Sequence, residues 1–413
     1  MASRSISWRW VVGSLVIAVP VVLGLLFRAR SHPVAVPSRV SVEVRAELPR
    51  PVARPLVIAP EPLPDNASKI EICGLGKVPL DSTDPFAAGR YMSALTRRAK
   101  ESWQAALLGS DNYRARAAGL ILEGKIANGD SILPMAERTR DELVQLAVGA
   151  RDPAVYAMAV YACSSERDDP ANSACQQISL STWARTDADN AVPWLLLAGK
   201  ARAEHDLAVE TEAFSQAAKA HRTDSYNDSL YAFAESQLPK DVTPLERWYF
   251  AIELIGIEGA ARLNQYTVAS KRCSIEAVQD SKVRQQCNAL AELLATKGTT
   301  LLDLGIAADI GARAGWSSQR VAGLIQKRNA LMQAIRQATP MGNDEIWSCN
   351  GVHLGNAYMN QRVRLGELGA ARESLDRSGE TEQDLARKQL EFMESIRHEA
   401  LQQPQEQPVE PAP

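Results

Sequence analysis

The chain has 413 residues, and its charges nearly balance: 46 Lys and Arg stand against 49 Asp and Glu, giving a formal net charge of −3 and a pI near 6.1. No basic stripe runs through the sequence, which argues against nucleic acid as a partner. Hydrophobic residues make up 46% of the chain, and the part that follows the N-terminal segments is long enough to form a continuous core.

The first element is an apolar run from Trp10 to Phe27, flanked by arginines and free of charged residues. About eighteen apolar residues can cross a bilayer as a helix. We therefore predict a transmembrane segment over 10–27 and a cytoplasmic N-terminus over 1–9. A retained signal-anchor fits better than a cleaved signal peptide, because the apolar core is long and no A-x-A-like cleavage site follows it. Positive charges flank this run in nearly equal numbers on both sides, so they do not settle the orientation.

Prolines punctuate the next segment, residues 28–64. Proline fixes φ and removes a backbone donor, so this segment is predicted to be an extended, flexible linker that cannot fold alone. At about 3.1 Å per residue, such a linker could hold the following domain on the order of 100 Å from the membrane.

Six cysteines lie beyond the linker, and no C-x-x-C or zinc-type cluster occurs among them. An even number of well-spaced cysteines behind a membrane segment suggests disulfides in an oxidising space such as the bacterial periplasm. Two pairs could each clamp a helical hairpin, and the remaining pair would tie the N-terminal edge of the domain to its C-terminal third. The predicted pairs are Cys163–Cys175, Cys273–Cys287 and Cys73–Cys349. The alternative is six free thiols in a cytoplasmic protein.

Residues 65–370 predict an all-α domain, because alanine and leucine dominate and no sustained period-two alternation appears. Cap residues, several of them followed by proline, precede many of the apolar stretches. Short connections favour antiparallel helical hairpins, stacked as a repeat-like superhelix. The predicted helices are 86–108, 112–127, 133–149, 153–163, 173–186, 191–203, 206–221, 226–237, 244–270, 280–297, 299–313, 317–338 and 352–369.

Aromatic residues recur near the starts of four of these helices, at Tyr113, Tyr156, Trp194 and Tyr231. Their spacing of roughly 40 residues suits helix-pair solenoids. The region 190–222 is the clearest repeating unit.

This unit resembles a tetratricopeptide repeat. The residues that match the repeat are Trp194, Leu197, Ala198, Ala201, Phe214 and Ala217. It departs from the pattern at His205, where the repeat has glycine, at Glu210, where a small residue is expected, and at Arg222, where the repeat closes with proline. The resemblance implies a curved stack of hairpins whose concave face binds protein or peptide.

Catalytic and metal-binding signals are few. The histidines occur in no H-E-x-x-H spacing, and no phosphate-binding glycine loop follows a strand, so neither a cofactor nor a metal site is predicted. Gly74–Lys77 resembles a phosphate-binding loop superficially, but it lacks the preceding strand and the required glycine–lysine spacing, so it is interpreted as a structural loop. The enzyme candidate is Cys349 with His353 four residues later, a thiol beside a base. In an oxidising compartment, however, a disulfide at Cys349 is the better interpretation.

Other conspicuous side chains have structural interpretations. The tryptophans Trp248, Trp316 and Trp347 could line a groove, but their helical spacing is more typical of a core. The acidic pair Glu204 and Glu210 is interpreted as a solvated helix face, as is the pair formed by residues 168 and 169.

The C-terminal region mixes charged and apolar residues over 371–401, which predicts a charged helix that docks on the domain. Residues 402–413 are rich in proline and glutamine and are predicted to be disordered.

Together these features predict a single-pass inner-membrane protein whose bulk lies in the periplasm. Its helical domain would be an interaction or assembly module for a protein or peptide partner. A cell-envelope enzyme, for example one that acts on peptidoglycan through a site invisible to motifs, is the alternative.

Overall fold

The computed structural model describes residues 68–80, 87–127, 135–164, 174–226, 229–260, 263–339 and 345–402. The predicted cytoplasmic N-terminus, transmembrane segment and linker lie outside these residues, as does the tail beyond Gln402. Among the helices that are described, none is both long and apolar enough to cross a bilayer.

The chain divides into two compact units. The smaller unit comprises residues 1–70 and 75–93, and its described part holds strand residues and the first turns of a helix. The larger unit comprises residues 71–74 and 94–413 and carries the remaining helices. Both candidate sites considered below lie within the larger unit.

The described chain begins with a β-hairpin, which lies inside the region 65–370 predicted to be all-α. Strands β1 (Ser68–Ile72) and β2 (Gly76–Leu80) form a two-stranded sheet. Gly74 and Gly76 have φ values of 81° and 74°, which residues with a side chain rarely adopt. The supposed phosphate loop at Gly74–Lys77 is therefore the turn of this hairpin and the start of its second strand.

Fifteen α-helices follow within the described residues. They are α1 (Ala87–Leu108), α2 (Tyr113–Ala127), α3 (Glu137–Ala150), α4 (Pro153–Ser164), α5 (Leu180–Thr186), α6 (Ala191–Ala203), α7 (Leu207–Lys219), α8 (Leu230–Glu235), α9 (Pro244–Ala260), α10 (Leu263–Arg272), α11 (Ser281–Lys297), α12 (Leu301–Arg313), α13 (Ser318–Ala338), α14 (Cys349–Ser378) and α15 (Glu382–Gln402).

The expectation of a helical domain is confirmed, but two predicted boundaries are wrong. The predicted helix 244–270 covers α9 and α10, and residues 261–262 between them lie outside the described residues; α9 packs against α14 and α10 against α6. The segment 173–186 forms a short 3₁₀ turn before α5 begins at its Ser179 cap. The C-terminal helix starts at Glu382 and not at 371, because Gly379 ends α14 with a φ of 67°.

Helix starts follow ordinary capping chemistry. The Asn190 side chain accepts from the Val192 amide at the start of α6, and Thr243 and Glu246 cap α9 reciprocally. At α2 the cap is Asn112, whose Oδ1 accepts from the Arg114 amide at 2.9 Å. Ser110 and Asp111 also precede this helix, but Asn112 supplies the acceptor.

The hairpin α6–α7 packs with α10, α11 and α12 around one apolar cluster. Leu195, Phe214, Leu290 and Ile310 are buried in it. The disulfide Cys273–Cys287 is also part of this cluster and joins the end of α10 to the middle of α11.

Two further disulfides complete the set. Cys163–Cys175 closes the connection between α4 and the 3₁₀ turn that precedes α5. Cys73–Cys349 links residues 276 positions apart and fixes the end of β1 at the N-terminus of α14. These are the three pairs that the cysteine spacing predicts.

The 190–222 unit is a helical hairpin whose departures from the repeat pattern have local causes. His205, in place of glycine, lies in the left-handed region with a φ of 61°. Glu210 is buried, and its carboxylate lies 3.7 Å from Arg202 and 4.0 Å from Arg272. Arg222 pairs with Asp187, and its carbonyl accepts from the Ala191 amide, which closes the hairpin without proline.

A buried ion pair joins α9 to α14. The Arg362 Nη2 atom lies 2.8 Å from the Glu258 Oε2 atom, and the side chains are 7% and 1% exposed. The other oxygen of Glu258 accepts from the Tyr231 amide at 3.1 Å, which adds α8 to the contact. Four residues beyond Arg362, Gly366 kinks α14 with a φ of 70°.

The charged C-terminal helix α15 packs along α13 through Ala330, Ala334, Leu385 and Ala386. Arg336 of α13 also lies over the Phe392 ring, 3.5 Å from its centroid. The predicted docking of this helix on the domain is therefore confirmed.

Candidate functional site

The segment singled out as an enzyme candidate lies at the start of α14. Ser348 caps the helix by accepting from the Gly351 amide at 3.0 Å, and Cys349 is the first helical residue. Its sulfur is bonded to Cys73. The structure therefore presents no Cys349 thiol to His353, and the cysteine–histidine nucleophile interpretation does not apply to this disulfide form.

A cleft of about 490 Å³ lies beside this disulfide. Both cysteines line it, and His353 lines it with an exposed side chain. Arg247 contributes a cation, which is 3.1 Å from Glu235. Asn356 is held in place by donating to the Pro244 carbonyl at 2.8 Å. The remaining lining residues are Val242, Pro244, Val352 and Asn360.

Tryptophan packing forms one side of this region. The Trp248 indole nitrogen donates to the Ile346 carbonyl at 3.0 Å, and a β-carbon added at Gly355 would lie only 2.7 Å from the same indole ring. Trp248 and Trp347 are buried. Trp316 is partly buried and carries the Arg320 guanidinium 3.6 Å from its ring centroid. The core interpretation of these tryptophans is thus confirmed for Trp248 and Trp347.

A second, larger concavity lies between α2 and α3, with a volume of about 700 Å³. We call it the α2–α3 groove. Tyr113 lies at the start of α2 with 51% of its surface exposed. The groove is lined by Tyr113, Arg116, Glu137, Arg138, Asp141, Glu142, Gln145, Leu146, Gly149 and Ala150.

The α3 wall of this groove carries a row of polar acceptors. Glu137, Asp141 and Gln145 are spaced four residues apart, so they lie on one face of the helix, about 6 Å apart along its axis. Glu142 pairs with Arg138 at 3.1 Å. Among the ion pairs of the described residues, none within 4 Å involves Glu137 or Asp141. The groove therefore offers two carboxylates one helical turn apart, in a lining that also contains Arg116.

The interpretation of Glu204 and Glu210 as a solvated helix face is correct for Glu204 only. Glu204 is exposed and pairs with Lys200 at 2.5 Å, whereas Glu210 is buried beside Arg202 and Arg272. The partners of Glu210 come from the end of α6 and from α10, so the α7 sequence alone does not reveal its burial. Residues 168 and 169 lie outside the described residues.

A perturbed carboxylate lies elsewhere, in the first turn of α12. Asp303 is 1% exposed. It accepts from the Tyr266 hydroxyl and from the Thr299 and Thr300 amides, each at 2.9 Å. Burial outweighs these hydrogen bonds and raises the pKa of Asp303 from 3.8 to about 6. Neither of the two cavities reaches this residue, so we interpret it as a structural cap of α12.

The cap of α12 gives the protein a predicted pH dependence. Because the folded-state pKa of Asp303 lies above its unfolded value, the folded state binds more protons between pH 4 and 6. The free energy of unfolding should therefore fall by about 3 kcal/mol across this window as pH rises, so far as this group is concerned. In Asp303→Asn that fall should vanish. Asn keeps an oxygen for the Thr299 and Thr300 amides, and Tyr266 can turn its hydroxyl to accept.

The measurement is urea unfolding at a series of pH values, followed by circular dichroism. Asp376→Asn, which changes an exposed carboxylate on α14, is the matched control and should keep the pH slope of the parent chain. An Asp303→Asn profile parallel to that of the parent would show that Asp303 does not titrate in this window.

No group of three or more His, Cys, Asp or Glu side chains in the described residues is arranged to hold a metal ion. No protein-family model matches the chain, and neither a curated protein nor a solved structure shows significant similarity to it.

Proposed function

We propose that the chain is a membrane-anchored envelope module that binds a protein or peptide partner through stacked helical hairpins. The observation that carries this proposal is the α2–α3 groove, whose lining combines an exposed tyrosine with two carboxylates spaced one helical turn apart. The three disulfides are also typical of an oxidising compartment, and they support a periplasmic location for the helical domain. Tetratricopeptide-like stacking of the hairpins remains part of the proposal.

The groove indicates the chemistry of its ligand. Residues i and i+2 of an extended peptide are about 6.7 Å apart, close to the spacing of about 6 Å between Glu137 and Asp141 along α3. Alternate lysines or arginines would therefore reach both carboxylates at once. Tyr113 can receive an apolar side chain or the face of a cation. The partner segment is thus an extended Lys-x-Lys or Arg-x-Arg stretch with a neighbouring apolar residue.

The test is fluorescence anisotropy with the full-length chain in detergent and labelled peptides. One peptide carries Lys-x-Lys beside leucine, a second has the two lysines adjacent, and a third has glutamates in their place. We expect binding of the first peptide to be the strongest and to weaken as salt is added. Equal binding of the first two peptides would contradict the register argument.

Substitution of both carboxylates, Glu137→Gln with Asp141→Asn, should weaken binding of the Lys-x-Lys peptide about fivefold to tenfold, since each partly exposed ion pair contributes up to about 1 kcal/mol. The matched control removes two exposed carboxylates elsewhere, Asp376→Asn with Glu394→Gln, and should leave binding unchanged. If the control variant loses as much affinity for the peptide, the effect comes from the net charge of the protein and not from the groove.

The compartment is tested separately. Alkylation of intact cells before and after reduction should label no cysteine of this chain until reductant is added. Six labelled thiols without reductant would exclude the disulfide-bonded form in the cell and, with it, the periplasmic location. Crosslinking of the anchored protein in cells, read by mass spectrometry, should then recover a reproducible partner at the groove.

A further inference from the structure

The three disulfides occupy different environments. Cys273 and Cys287 are fully buried in the apolar cluster formed by α6, α7, α10, α11 and α12. Cys163 and Cys175 are half-buried, at the C-terminal end of α4 and in a short 3₁₀ turn. Cys349 is exposed and Cys73 half-buried, and both line the 490 Å³ cleft. A reductant in solution therefore meets the Cys73–Cys349 bond beside an open cleft.

Cys349 also occupies a position that favours it as a leaving group. It is the first residue of α14, and the Ser348 cap of this helix is in place. Backbone amides at a helix N-terminus stabilise a thiolate, which makes such a sulfur depart readily. None of the other four cysteines stands at the N-terminus of an α-helix: Cys163 and Cys273 lie at helix C-termini, and Cys287 lies within α11.

We propose that Cys73–Cys349 is a thiol–disulfide exchange site that a dithiol reduces in preference to the other two bonds. The thiolate of the dithiol attacks the Cys73 sulfur, the Cys73–Cys349 bond breaks, and Cys349 leaves as a thiolate that takes a proton from water. The second thiol of the dithiol then attacks the mixed disulfide, releases Cys73 as a thiol and leaves the dithiol oxidised. Two electrons pass to the protein, and the dithiol loses them.

Exchange would free a defined piece of the chain. Cys73 is held to the N-terminal region of α14 by the disulfide and by its amide, which donates to the Trp347 carbonyl at 2.9 Å. Breaking the covalent bond leaves this attachment to hydrogen bonding and packing. The site stands apart from the α2–α3 groove, so the inference does not rest on the proposed binding function.

The experiment titrates the native full-length chain in detergent with dithiothreitol, traps thiols with N-ethylmaleimide and identifies the labelled peptides by mass spectrometry. We expect Cys73 and Cys349 to be labelled at dithiothreitol concentrations at least about tenfold below those that open the other pairs. Opening of Cys163–Cys175 first, or of all three bonds together, would overturn the proposal.

Two variants of opposite charge test whether the helix N-terminus, and not solvent accessibility alone, makes this disulfide easy to reduce. Asn350, the second residue of α14, is exposed. Asn350→Asp puts a negative charge beside the leaving thiolate and should slow reduction about twofold to fivefold, whereas Asn350→Lys should speed it. Equal rates in the two variants would show that the helix N-terminus plays no part, and would overturn the assignment of Cys349 as the leaving group.

A second arm identifies the source of the dithiol. Reduced thioredoxin replaces dithiothreitol, and Asn360→Arg enlarges a side chain that lines the cleft. A protein dithiol must dock there, so the variant should slow reduction by thioredoxin much more than it changes reduction by dithiothreitol. If thioredoxin opens another pair first, the protein arm of the proposal fails.

Discussion

Replacing both Cys73 and Cys349 by serine is expected to lower the free energy of unfolding by about 5 kcal/mol and the melting temperature by roughly 5–10 °C. The reason is the length of the closed loop. The bond joins residues 276 positions apart, against 12 for Cys163–Cys175. Removing it releases far more conformational freedom in the unfolded chain.

The measurement is urea unfolding of the full-length chain in detergent, with circular dichroism as the probe. The matched control, Cys163→Ser with Cys175→Ser, should lose about 3 kcal/mol in the same chain-entropy treatment. A smaller loss for the Cys73–Cys349 pair than for this control would mean that the long loop retains structure when the protein is denatured.

The second large effect is expected at the buried ion pair. In Glu258→Gln the Arg362 guanidinium stays buried without its carboxylate, which should destabilise the fold by about 3–5 kcal/mol. The Glu367 carboxylate lies 4.0 Å from Arg362 and compensates in part, so the lower end of that range is expected. Thermal unfolding of the parent and the variant under identical conditions measures the change.

Two comparisons give this prediction its force. The double variant Glu258→Gln with Arg362→Met removes both charges and should regain most of the lost stability, because the uncompensated charge is gone. Glu391→Gln breaks an exposed pair with Arg387 that has the same kind of geometry and should change stability by less than about 1 kcal/mol. If Glu258→Gln behaves like Glu391→Gln, the buried pair contributes little.

Helices with local signals could be predicted from the sequence, and those shaped by distant contacts could not. Helix α6 begins and ends where the sequence predicts, and the Asn190 side chain caps its start. Helices α9 and α10, which the sequence joins into one predicted helix, pack against different partners, α14 and α6. These partners are distant in sequence, so the local pattern does not reveal them.

The hairpin at Ser68–Leu80 was missed although a signal was present. Ile70 and Ile72 alternate with charged residues, and Gly74 and Gly76 follow at turn spacing, which is a strand–turn pattern. The end of α14 was readable in the same way from Gly379. Both signals are only a few residues long, whereas the surrounding sequence favours helix over long stretches.

The candidate sites divide along similar lines. The cysteine pairing followed from spacing, and Cys349 and His353 do lie at one cleft. The α2–α3 groove was not predicted, because it requires two helices to be placed side by side. Its one local signal is the row Glu137, Asp141 and Gln145 on a single helical face, which looks like any solvated helix surface until the facing helix is known.

The long disulfide also determines how the molecule would carry mechanical tension. If the chain is pulled from its two ends, the covalent path runs from Cys73 across the sulfur bridge to Cys349 and then along α14. The residues between the two cysteines form a closed ring that this path bypasses. A partner held by the ring would therefore be shielded from a pull between the ends of the chain for as long as the bridge is intact.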